Sequence, residues 1–115
     1  MQDILRRQRF TRQLGRFSDR LDDLMLELRR SEPGQLPAEL LDEMASTLGE
    51  LMLVLVEHKD GGDGATNSTG RAASDARHLR EAVRLGQIQP TQITEALGTL
   101  RQELVLVIHE DKQAA

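Results

Sequence analysis

The chain has no cysteine, no tryptophan and no tyrosine, and its only aromatic residues are Phe10 and Phe17. Without cysteine there can be no disulfide, thiolate zinc site or cysteine nucleophile. With so few aromatics, a core has to be assembled from Leu, Val, Ile, Met and Ala, which favours helices over a β-sandwich or barrel. The same shortage removes the stacking platforms on which single-stranded nucleic acids are usually held. Long apolar runs are lacking too. The longest, residues 51–56, is far too short to span a bilayer. The first residues, MQDILRRQ, lack the apolar stretch of a signal peptide. The expectation is a cytoplasmic chain without membrane association, in which the sequon Asn67-Ser68-Thr69 is a chance match.

What is present is enough for one domain. Over 115 residues, 38% are hydrophobic and 30% charged, a composition that can bury a core. The net charge of −4 is unevenly spread: residues 1–20 carry six arginines against Asp3 and Asp19, while the remainder has nine bases against seventeen acids.

The apolar residues fall on helical stripes. Phe10, Leu14, Phe17, Leu21, Leu24 and Leu28 recur at alternating spacings of four and three, keeping them on one helix face. This predicts a first helix over about 3–30, stopped by Ser31-Glu32-Pro33-Gly34. Pro37 opens a second helix ending near Lys59, with Leu41, Met44, Leu48, Leu51 and Leu55 as its stripe. Residues 60–71 are rich in Gly, Asp, Ser and Thr and predict a loop. A short third helix over about 72–85 faces inward with Ala76, Leu79 and Val83 and stops at Gly86. Pro90 opens a fourth, carrying Ile93, Leu97, Leu100, Leu104 and Val107. Residues 51–56 and 104–108 also fit buried strands, but the stripe runs through both without a breaker and favours helix.

An internal repeat underlies this order. Gly34-Gln35-Leu36-Pro37 resembles Gly86-Gln87-Ile88-Gln89-Pro90, and a shift of 53 gives seven identities over twenty-three positions, among them Glu50 on Glu103 and Leu53 on Leu106. The expected fold is all-α: a four-helix bundle of two tandem antiparallel hairpins, 3–59 and 72–112, in a single domain 1–115.

Catalytic and cofactor motifs are poorly represented. The stretch from Gly64 to Arg71 has five residues between its glycines and Arg where a phosphate loop needs Lys, so it reads as a linker. No nucleophile is marked, no cofactor is implied, and no enzyme is expected. His58, His78 and His109 are weak candidate metal ligands. Antiparallel topology is expected to bring them to one end near Glu57, Glu110 and Asp111, but histidine near a helix C-terminus is favoured by the helix dipole alone.

Two features point to partners. Arg6, Arg9, Arg12, Arg16 and Arg20 form a band flanking the apolar stripe of helix one. It could track phosphates, or shield the stripe and pair with acids on helices two and four; the overall acidity favours pairing. The second is an apolar excess. A third helix half as long as the first would leave roughly 20 Å of bundle uncovered where helices two and four are most apolar. Leu53, Val54, Val105 and Leu106 are the expected interface there, between two copies or with another protein. The leading expectation is a non-enzymatic helical interaction module, an adaptor, regulator, assembly factor or small chaperone working as a homodimer. The alternatives are a nucleic-acid-binding regulator using the arginine band, and a metal protein or enzyme using the histidine end.

Overall fold

The computed structural model describes residues 2–31, 36–60 and 67–113. They form four helices: α1 (Gln2–Arg30), α2 (Ala38–Asp60), α3 (Asn67–Leu85) and α4 (Pro90–Gln113). No strand occurs among the described residues, so the apolar runs at 51–56 and 104–108 are helical. The turn residues 32–35 and the glycine-rich residues 61–66 lie outside the described residues.

The helices are arranged in a ring. α1 packs on α2 and α4, and α3 packs on the same two; in the diagonal pairs α1/α3 and α2/α4 no Cα atoms approach within 8 Å among the described residues. The closest-knit seam is α2/α3 and the sparsest is α1/α2. One apolar cluster fills the centre, with contributions from all four helices. The α1 stripe from Phe10 to Leu28 is buried throughout, as are Met44, Leu48, Leu51 and Leu55 of α2 and Ile93, Leu97, Leu100, Leu104 and Val107 of α4. Burial of some twenty such side chains, each stabilising by about 1.5–3 kcal/mol, is what holds four modest helices together.

The ends follow from local chemistry. α3 stops at Gly86, whose φ of 66° is left-handed and so favours a residue without Cβ. The Gly86 amide donates to Val83 O and the Gln87 amide to Ala82 O, the paired bonds of a Schellman cap. At the start of α4, the Gln92 side chain accepts from the Gln89 amide, the returning half of a capping box, and Pro90 occupies a position that needs no donor. The carbonyl of Pro37 accepts from the Leu40 and Leu41 amides and opens α2.

Helix three is longer than its composition suggests. It begins at Asn67 rather than at residue 72 and has 19 residues against 29 in α1, about two thirds rather than half. The Gly, Ser and Thr of its first turns are weak helix formers, but tertiary contacts override them. Thr69 and Ala72 are buried, and the Ser68 hydroxyl donates to Glu110 of α4 at 3.0 Å. The stretch read as a long loop, 60–71, is thereby shortened from both sides. The 53-residue register is followed only in part: Leu40 and Ile93, Met44 and Leu97, and Leu51 and Leu104 are all buried, but Glu50 is exposed where Glu103 is buried.

Candidate functional site

The sparse α1/α2 seam opens into a cleft of about 470 Å³ near the N-terminal end of α1. Its lining is Arg6, Arg9, Phe10 and Gln13 from α1, and Val54, Glu57 and His58 from α2. On α1 these positions flank the buried stripe on the side that faces α2. Phe10 and His58 form its floor. Their rings stack face to face, with centroids 3.7 Å apart and planes within 4°. Phe10 is buried and His58 half-buried, so the stack closes the core here while one imidazole edge remains near water. The result is a small apolar floor beneath two guanidinium groups and one carboxylate.

Farther along the seam the helices are tied by Arg20. Its guanidinium donates to Glu50 Oε2 and to Thr47 Oγ1, both at 2.9 Å, and lies 5.4 Å from the centre of the Phe17 ring. Arg20 and Glu50 are each about half exposed, so the pair contributes little beyond fixing the seam's geometry. The acid pairing expected of the arginine band is thus found at Arg20. Arg9, Arg12 and Arg16 make no ion pair among the described residues. Arg12 and Arg16 turn toward the outer face of α1, away from the α2 acids, whereas Arg9 lines the cleft that also holds Glu57.

The four apolar positions expected to form one interface do not meet. Leu53 is 59% exposed and points away from the buried side of α2; Val105 and Leu106, 49% and 50% exposed, lie on the outer side of α4. α2 and α4 are diagonal partners, so these side chains stand at opposite corners of the bundle. Val54 is half-buried and belongs to the α1/α2 cleft. The single groove expected from a half-length third helix is therefore divided, because α3 starts five residues earlier and stands between α2 and α4.

The histidines are dispersed as well. His58 is in the stack. His109 is exposed on α4, and His78 is exposed at mid-length on α3, since the earlier start of that helix moves it away from the bundle end. Among the described residues, no three His, Asp or Glu side chains converge as a bound metal ion requires.

A buried acid is a feature that no sequence motif marks. Glu103 is only 7% exposed, on the α3/α4 seam. Burial raises its pKa from the ordinary 4.5 to about 7, helped by a hydrogen bond to the Asp75 side chain and by that group's like charge, with Arg71 opposing. Its Oε2 has no partner among the described residues. A signal was available: Glu103 keeps the three-four spacing with Leu100 and Val107, which places it at the edge of the buried stripe. The pair lies on the α3/α4 seam, whereas the cleft lies between α1 and α2. Among the described residues, the cleft's lining holds Glu57 and His58 but no serine, threonine or cysteine that they could activate.

No helix among the described residues is long and apolar enough to cross a membrane. Set against known protein families, characterised proteins and solved structures, the chain matches none of them.

Proposed function

We propose that the chain is a helical protein–protein interaction module without catalytic chemistry of its own, acting in an adaptor, regulatory or assembly role through the α1/α2 face. The observation that carries this reading is the cleft: Arg6 and Arg9 stand over the Phe10–His58 floor, with Val54 beside it. An apolar floor beside two guanidinium groups and the Glu57 carboxylate suits a protein segment that presents an apolar side chain among charged ones, with acids toward the arginines. Leu53, and Val105 with Leu106, then act as two separate contact points on other faces, for a second copy or for the same partner.

The test is affinity isolation with the full chain, comparing wild type with Gln13→Glu and Val54→Glu, each first shown to be folded by circular dichroism. A protein retained by wild type and lost from both variants supports the reading. Identical retention across all three contradicts it.

A second reading is favoured by one observation. Arg9, Arg12 and Arg16 lack intrachain ion pairs among the described residues and could hold phosphates. Asp19, Asp23 and Glu27 follow on the same helix and would confine such binding to its first half. Duplex binding that weakens steeply with salt would favour this nucleic-acid reading over the protein one.

A further inference from the structure

The outer face of α1, opposite its buried stripe, carries a seven-residue repeat. Leu5, Arg12, Asp19 and Leu26 follow one another at intervals of two helical turns, and all four are exposed. Leu5 is 64% and Leu26 45% exposed, large apolar side chains left in water at both ends of the row. Gly15 sits at its middle, half-buried, with nothing within 4 Å of where a Cβ would stand. A glycine inside a helix costs about 1 kcal/mol relative to alanine, and no contact among the described residues explains this one.

The row reads as its own complement when reversed. Reflected about the midpoint between Gly15 and Arg16, Leu5 falls on Leu26 and Arg12 on Asp19. Arg12 and Asp19 have no ion-pair partner of their own among the described residues. A seven-residue spacing drifts by about 20° per repeat on a straight helix, the offset that a left-handed helix pair takes up.

We infer that α1 is a self-association surface: two copies of this chain pack through the outer faces of α1, antiparallel about a twofold axis between Gly15 and Arg16. In that arrangement Arg12 meets the partner's Asp19 and the partner's Arg12 meets Asp19, as a twofold requires. Leu5 covers the partner's Leu26 at each end. Gly15 gives the arginine stems room where the helices come closest. The contact runs from residue 5 to residue 26, about 32 Å of helix, and lies at the small end of stable interfaces, so the dimer is reversible and salt-sensitive. This deepens the proposed function by naming the occupant of one face. It rests on the self-associating part of that reading and not on the cleft, which uses Gln13 and Val54.

Sedimentation of the full chain tests it with Arg12→Asp, Asp19→Arg and the double variant Arg12→Asp/Asp19→Arg. These positions are exposed, so each variant is expected to fold. The wild type should be dimeric at about 100 µM, each single variant should dissociate at least about tenfold more readily, and the double variant should regain the wild-type value. Raising salt should weaken the wild type and the double variant alike. A wild type that stays monomeric at that concentration overturns the inference, whether or not it binds another protein or a nucleic acid. So does a dimer indifferent to both single substitutions, or one that the double variant fails to restore. Loss of cleft binding in Gln13→Glu with the dimer intact would remove the proposed partner site alone.

Discussion

Asp75 of α3 and Glu103 of α4 set two carboxyl groups against each other across a buried seam, and the pair holds a proton that an ordinary glutamate would have released. Glu103 has a folded-state pKa of about 7 against an ordinary value of 4.5. Between those values the folded protein binds a proton and the unfolded chain does not. The stabilisation is therefore complete below the lower value, falls as pH rises through the interval, and is gone above about 7. Glu103→Gln keeps a donor toward Asp75 and cannot ionise. Urea unfolding should show it close to wild type at pH 4.5 and clearly more stable at pH 8; parallel profiles for the two proteins would contradict the assignment.

Phe10 closes the core under the cleft, buried against the His58 ring. Phe10→Ala should lower stability by about 3–5 kcal/mol, as expected for an emptied aromatic site, and Phe10→Leu by distinctly less. Denaturant midpoints with unchanged slopes would check both.

Two helical glycines should respond differently to alanine. Gly15 has open space around its missing Cβ, so Gly15→Ala should stabilise the monomer by about 0.5–1 kcal/mol. At Gly49 the added Cβ would stand 3.1 Å from Arg80 Nε, and the gain should be smaller or reversed. Thermal unfolding at a concentration low enough to keep both proteins monomeric makes the comparison.

Glu50→Ala removes an ion pair whose members are both about half exposed. Its effect should stay below about 1 kcal/mol, because solvent screens the charges and Arg20 keeps Thr47 Oγ1 and the Phe17 ring. A double-mutant cycle with Arg20→Ala gives the coupling directly.

Much of the fold is legible in the residues themselves. The stripe from Phe10 to Leu28 and its counterpart from Ile93 to Val107 are buried position for position, since three-four spacing leaves a helix one way to hide its leucines. Gly86 stops α3 because of its left-handed backbone. The start of α3 is not legible, because its support comes from residues distant in sequence: Ser68 bonds Glu110 of α4, and Thr69 is buried. A half-length third helix would leave one groove joining Leu53 to Leu106; with α3 starting at Asn67 and helices α2 and α4 diagonal, the two leucines lie on separate faces. The Phe10–His58 stack and the cleft above it depend on the register between α1 and α2, which neither helix specifies alone.

The claim that the α1/α2 face is where this chain meets a protein partner is tested most directly by site-specific photo-crosslinking in cells. A photoreactive side chain replaces Gln13 in the cleft and, in a parallel strain, Glu81, exposed on α3. The account predicts a discrete adduct of defined mass from position 13, removed by Val54→Glu, and none from position 81. Adducts of equal yield from both positions, or none from position 13, would contradict it.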